Sequence, residues 1–245
     1  MKELVARNWG LIFSETQEKI GRARLLLVGC GLGSQIGVLA ARTGFANFEL
    51  WDGDKVEEHN LNRQAFVQSD IGLNKAEATA KLLKAVNLKV IVEARPTFLL
   101  DREEIVAAVK KADFVVNMAD PDKAMWTISE ITRAEAKVEL HPLNMGWMGY
   151  CLVLTPTTPS LEEIVGGKIC GLGFYSHLVE VTLGNIPESF LRLLKEHGEE
   201  ILSGKVPFPQ LGITTNLTSA LVVEALVRWL AGDDTLPVAP RPLRK

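Results

Sequence analysis

Asp52, Asp54, Asn60, Arg63, Gln64 and Lys75 crowd carboxylates, amides and two fixed cations into one connection of the chain. Cations and amide donors gathered in this way suit the binding of a phosphorylated ligand and the neutralisation of charge that develops as a phosphoryl bond breaks. Ahead of them stands Gly29-Cys30-Gly31-Leu32-Gly33-Ser34. Backbone without Cβ can approach a phosphate closely, and a helix starting there aims its free N–H groups at the anion. Asp52 lies 23 residues after Gly29 (52 − 29), about where nucleotide folds place an acid against the ribose hydroxyls. A tight strand-to-helix turn would use the same glycines. The polar cluster after Asp52, which a dinucleotide-binding unit does not need, is what points to a triphosphate.

These side chains need elements to hold them, and the apolar pattern supplies strands and helices in alternation. Residues 25–28 are a short apolar run, 35–43 read as a helix, and 48–51 form a second apolar run ending at Asp52. Residues 70–87 read as a helix with Asn74 as an N-cap. Lys75 then falls in a first turn, where a cation is electrostatically misplaced unless a bound anion offsets it. Residues 90–94 form a third strand, 101–111 a helix capped by Asp101, and 114–118 a fourth strand, with Asp120 just past its end. Asp120-Pro121 would equally make a turn and a helix start. The alternation predicts an α/β fold with a Rossmann-like, doubly wound, mainly parallel sheet, helices on both faces and a C-terminal extension.

Later segments are less informative. Residues 138–140 and 151–154 read as strands around a bend, where Met145, Trp147, Met148 and Tyr150 would either wall an extended peptide or pack in the core. Residues 155–160 break regular structure. Residues 188–202 are amphipathic, with Phe190, Leu191, Leu194, Ile201 and Leu202 toward one face, and 216–231 are apolar nearly all round. The expected organisation is an N-terminal helical segment over 1–24 against the sheet edge, one nucleotide-binding domain over 25–236 with a variable region at 155–210, and a disordered tail over 237–245.

Trp51-Asp52-Gly53-Asp54, Asn60-Leu61-Asn62-Arg63-Gln64 and Gly72-Leu73-Asn74-Lys75 together resemble the ThiF/MoeB/HesA family, bacterial relatives of ubiquitin-activating enzymes. The resemblance covers roughly the first 150 residues and returns over 211–232. It implies an adenylyltransferase that uses ATP and magnesium to activate a carboxylate, usually the C-terminal glycine of a ubiquitin-like or sulfur-carrier protein ending in Gly-Gly. It further implies that Gly29, Gly31 and Gly33 line the nucleotide and that Asp52 holds the ribose. Asn60 and Arg63 would contact phosphates, Gln64 would support that loop with Asp54 nearby, and Lys75 would face the α/β-phosphates. Asp120 would carry magnesium, and Arg7 would reach across a homodimer to the partner's γ-phosphate. Two departures stand out. The family's G-x-G-G-x-G step is one residue shorter here, and no C-x-x-C pair exists, so no structural zinc is expected.

Composition narrows the alternatives. With 245 residues, 47% hydrophobic and 23% charged, the chain suits one substantial core. A net charge of −3 and a pI near 5.9 argue against general nucleic-acid binding. No apolar run is long enough for a membrane span and no signal core opens the chain, so a cytoplasmic location is expected. Cys30, Cys151 and Cys170 are too scattered for a disulfide framework; they read as buried small residues, with Cys170 in a glycine-rich stretch as the candidate reactive thiol. None of His59, His141, His177 and His197 has metal-ligand spacing, and His59 alone is near the polar cluster. An NAD-dependent oxidoreductase and a non-catalytic scaffold are the competing readings.

Overall fold

The computed structural model describes residues 3–244 apart from 204 and 207. Met1, Lys2 and Lys245, which belong to the two expected terminal segments, lie outside the described residues, as does the side chain of Leu202. After α1 (Ser14–Arg22), strand β1 (Arg24–Val28) is buried on both faces: Leu25 and Leu27 pack into one apolar cluster and Leu26 and Val28 into another. A strand with both faces covered belongs at the middle of a doubly wound sheet. The chain continues through α2 (Gly31–Thr43), β2 (Asn47–Trp51), α3 (Lys75–Val86), β3 (Ile91–Arg95), α4 (Arg102–Lys111), β4 (Phe114–Asn117), α5 (Lys123–Ala134) and β5 (Val138–Met145). It closes with β6 (Met148–Leu154), α6 (Leu161–Val165), α7 (Gly173–Leu183), α8 (Glu188–Leu202), α9 (Gly212–Ala231) and β7 (Leu243–Arg244).

Among the described residues the strands form one sheet in the order β3-β2-β1-β4-β5-β6-β7, the first five parallel and the last two antiparallel. The order reverses between β1 and β4, and in such sheets the ligand crevice lies there, beyond the carboxyl ends of the strands. Helices α2, α3 and α9 cover one face with Ile36, Leu83 and Leu226, while α4 and α5 cover the other with Ile105 and Ile128. The expected mainly parallel sheet is thus observed.

Several local expectations are corrected. Helix α2 begins at Gly31, four residues earlier than its apolar periodicity suggested, because the loop glycines themselves adopt helical backbone. Helix α3 begins at Lys75, with Asn74 accepting from the N–H groups of Ala76 and Glu77; residues 68–70 are a separate 3-10 turn. The expected bend is the tight turn at Gly146 and Trp147, and both strands run longer toward it than expected, β5 continuing through Pro142. That proline lies beyond Leu140, the last residue paired with β4, so β5 needs to satisfy only β6 there. Met145 and Tyr150 are buried, while Trp147 at the hairpin tip is exposed, so the four residues considered as a peptide wall share no surface. In α8, Phe190, Leu193, Leu194 and Ile201 turn inward and Leu191 faces solvent.

The N-terminal segment packs by α1 against α9 rather than on a sheet edge, with Asn8 and Gln17 donating to the carbonyl of Thr43. The tail does not fray over its described length. The N–H of Ala239 donates to the Val153 carbonyl, and buried Leu243 pairs with Cys151 as β7. Apolar side chains at 239 and 243 find the last uncovered edge of the sheet, which a count of Pro and Arg does not reveal.

Candidate functional site

Gly29 follows β1 with a φ of +95°, and a Cβ there would meet the Met118 carbonyl at 3.0 Å, so the turn requires glycine. Helix α2 then starts with no side-chain cap. Its first N–H groups open toward a cleft of about 540 Å³, lined by Gly31, Leu32, Asp52, Asp54, Gln64 and Lys75 on one side. Gly33 lies within α2 and outside the lining, buried where an added Cβ would meet the end of the Met118 side chain at 2.9 Å.

Asp52 is fixed by its neighbours. One carboxylate oxygen accepts from the Cys30 N–H at 2.6 Å and the other from the Asp54 N–H at 2.8 Å, tying the end of β2 to the glycine loop. Burial raises its pKa against the opposing pull of these two N–H groups and of Lys75. Asn74 donates to the carbonyls of Asp52 and Asp54 while capping α3, and so delivers Lys75 into the cleft. Lys75 Nζ reaches Asp54 Oδ2 at 2.9 Å. Gln64 sits beside Gly31 with its Oε1 buried and without a hydrogen-bond partner, an acceptor waiting for a donor at the cleft wall.

Across the reversal, Asp120 follows β4. Asp120 and Pro121 do enter a turn, the Asp120 carbonyl accepting from the Asp122 N–H at 2.7 Å, but Asp122, not Asp120, caps α5, accepting from the N–H groups of Ala124 and Met125 and leaving the Asp120 side chain free of that role. Although Asp120 stays open to solvent at the cleft mouth, partial desolvation by the walls, together with Asp122 and Asp54, raises its pKa. Among the described residues lining the cleft, Lys75 is the one Lys or Arg, set against Asp52, Asp54, Asp120 and Asp122. Among the described residues no group of three or more His, Cys, Asp or Glu side chains is arranged to hold a metal ion. These carboxylates suit instead a divalent cation that arrives with phosphate ligands of its own.

Besides Gly33, three expected site residues lie outside the cleft lining. Arg63 donates through Nε to Gln210 Oε1 at 2.6 Å and through Nη1 to the His59 carbonyl at 2.7 Å; Gln210 is the group that lines the cleft. Asn60 is buried in its own loop, its Oδ1 accepting the Glu57 N–H and its Nδ2 beside the His59 ring. Arg7 is exposed on a 3-10 turn, Ala6–Asn8, beside the C-terminal end of α2. That end is about 20 Å from the glycine loop at 1.5 Å per residue. His59 pairs with Glu57 at 3.1 Å on the surface.

The far side of the cleft holds groups that spacing alone did not single out. His141 is buried and lines the cleft, and its Nε2 lies 2.7 Å from Glu139 Oε1. Glu139 also accepts from Asn117 Nδ2 and Ser129 Oγ, each at 2.8 Å. The available signal was the alternation of two ionisable residues in an otherwise apolar strand, which places both on one face. Phe174, Leu178 and Phe208 complete an apolar wall, contributed by the region that the sequence left undefined. Cys170 is exposed and does not line the cleft, while Cys30 and Cys151 are buried.

A family model described as the ThiF family matches residues 5–244. The chain is 38% identical over 221 residues to ubiquitin-like modifier-activating enzyme 5 of Drosophila grimshawi, covering 87% of this chain and 52% of that one. It is 34% identical over 154 residues to the sulfur carrier protein adenylyltransferase of Thermus thermophilus, covering 56% of each. The chain therefore spans little more than half the length of these curated relatives. Among solved structures, PaaA superposes with a TM-score of 0.74 at 19% identity, covering 99% of this chain and 78% of that one. E. coli MccB with ATP superposes at 0.66 and 19%, covering 89% and 58%. At such identities these two structures speak to the fold.

Proposed function

We propose that this chain, which belongs to the ThiF family, binds ATP in the cleft and transfers AMP to a carboxylate, releasing pyrophosphate. The carrying observation is the convergence of Asp52, Lys75 and Asp120 around the uncapped start of α2 at the point where strand order reverses. A dinucleotide would need neither Lys75 nor Asp120.

The roles follow from the chemistry of each group. Asp52, with two N–H donors already engaged, retains lone pairs for ribose hydroxyls. Gly31 and the α2 N–H groups receive phosphate oxygens, and Gln64 Oε1 accepts from a ligand hydroxyl. Lys75, released from Asp54, opposes the charge that builds between the α- and β-phosphates. Asp120 would hold magnesium together with the phosphates, supplying the positive charge that the acidic cleft lacks. A substrate carboxylate oxygen then forms a bond to the α-phosphorus while the bond to the bridging oxygen breaks, and pyrophosphate leaves with that electron pair. The nucleophile is already ionised, so this step consists of alignment and charge compensation.

The names of the relatives support a C-terminal glycine of a ubiquitin-like or sulfur-carrier protein as the carboxylate. A homodimer is part of the same reading: Trp9, Leu11 and Phe13 are 87%, 87% and 76% exposed beside Arg7, an apolar arm suited to cover on a second copy. Calorimetric titration with ATP and magnesium, followed by ATP–pyrophosphate exchange with carriers ending in Gly-Gly, tests the proposal. Carrier-dependent exchange supports it; nucleotide binding without exchange for any carboxylate favours a scaffold, and no nucleotide binding removes the reading.

A further inference from the structure

Adenylation of a carboxylate needs no base, yet the cleft contains the parts of one. Glu139 and His141 lie on β5, two residues apart and therefore on one face. Glu139 Oε1 takes both the Asn117 amide at 2.8 Å and the His141 ring at 2.7 Å, and Oε2 takes the Ser129 hydroxyl at 2.8 Å. An amide and a hydroxyl that both donate make Glu139 an acceptor, so the ring hydrogen lies on Nε2. His141 Nδ1 makes no hydrogen bond among the described residues, and the ring lines the cleft. A buried carboxylate holding the far nitrogen of a histidine, with its near nitrogen free in a cleft, fixes tautomer and orientation as a general base requires.

Sheet geometry places this pair at the opposite end from the ribose acid. Asp52 follows β2 and His141 is on β5, three strands away in the order β2-β1-β4-β5, about 14 Å at 4.8 Å per strand. Asp120, after β4, lies between them. A nucleotide with its ribose at Asp52 would bring its α-phosphate toward Asp120, leaving the activated acyl group one strand from His141.

We infer that His141, oriented by Glu139, is the general base of a second reaction in the same cleft, the aminolysis of the acyl-adenylate, with an amine as the acceptor substrate. This rests on the adenylation reading. The amine lone pair forms a bond to the acyl carbon, the bond from that carbon to the phosphate oxygen breaks, and AMP leaves with the electron pair. The amine proton passes to Nδ1, and Glu139 offsets the imidazolium charge. An amine must shed a proton as it attacks, whereas a thiolate need not, and no cysteine lines this cleft.

Synthetic N-acetylglycyl-AMP with hydroxylamine as the amine bypasses the unidentified donor. Wild-type protein should accelerate hydroxamate formation over the uncatalysed background; His141→Gln should lose about 10²-fold or more of that acceleration and Glu139→Gln a smaller part. Equal rates for wild type and His141→Gln, or no acceleration by wild type, overturn the inference. Calorimetric ATP binding to the wild type separates the two readings: its absence sinks adenylation, while its presence with no effect at His141 sinks only the base. Should His141→Gln fail to fold, 15N-histidine NMR of the wild type decides, assigned with His59, His177 and His197 variants. The Nε2–H tautomer with a bare Nδ1 is expected, and an Nδ1–H tautomer overturns the assignment.

Discussion

Lys75 Nζ lies 2.9 Å from Asp54 Oδ2, and this pair joins the first turn of α3 to the connection after β2 at the cleft wall. Lys75 is only 12% exposed, so its placement is costly in a helix first turn unless anions surround it. Lys75→Ala removes the single Lys or Arg from the described cleft lining. It should weaken ATP binding and lower ATP–pyrophosphate exchange by about 10²-fold, the worth of one transition-state donor. Calorimetry and exchange assays check this, and a loss under about threefold would leave Lys75 as a structural partner of Asp54.

Removing magnesium should be as damaging as removing the lysine. Asp52, Asp54, Asp120 and Asp122 line the cleft, and under the adenylation reading they would face the triphosphate. ATP affinity in EDTA should fall by about tenfold or more relative to excess magnesium, and in Asp120→Asn the difference between the two conditions should shrink. Titrations with and without the chelator make the comparison.

Asp120→Asn should also stabilise the protein at neutral pH. Because the folded state raises the pKa of Asp120, it binds that proton more readily than the unfolded chain does, and ionisation costs stability. The cost is complete above the raised pKa and disappears as pH falls toward the ordinary aspartate value of about 4. Asp120→Asn should therefore melt higher at pH 7 and show no advantage below pH of about 4. Melting curves across pH decide; an Asn variant less stable at pH 7 would assign Asp120 a structural role.

Arg63 meets the cleft lining only through Gln210 among the described residues, their side chains meeting at 2.6 Å, which predicts that any effect of Arg63 on the cleft passes through Gln210. Arg63→Ala and Gln210→Ala should each weaken exchange, and the double variant should lose less than the sum. A coupling energy of about 0.5–3 kcal/mol is expected for contacting residues. Strict additivity would show that Arg63 reaches phosphate independently.

The glycine loop offers a test of backbone against side-chain crowding. In Gly29→Ala the added methyl meets the Met118 carbonyl at 3.0 Å with φ at +95°, so neither the backbone nor its neighbour can yield cheaply. A loss of about 1–2 kcal/mol is expected. In Gly33→Ala the methyl crowds the flexible end of Met118 at 2.9 Å and otherwise makes ordinary contact with Leu27 at 3.9 Å, so urea unfolding should show a smaller loss.

Sequence by itself determined the alternation of strands and helices, because apolar periodicity is local and β1, β2 and β4 are buried apolar runs, while β3 is a half-exposed edge strand. It determined the caps at Asn74 and Asp101, where a side chain bonds its own helix. It also brought Asp52, Asp54, Gln64 and Lys75 forward as one group, since a single connection carries them. What only tertiary structure decided depends on contacts between distant segments. Asp120 was freed from capping by Asp122, Arg63 was drawn to Gln210, and Leu243 was carried to the sheet edge. His141 became a cleft residue because Glu139, Asn117 and Ser129 converge on one another from two strands and a helix. Pairwise distances of 2.6 to 2.8 Å between separate elements are set by packing, and no local rule of composition or spacing contains them.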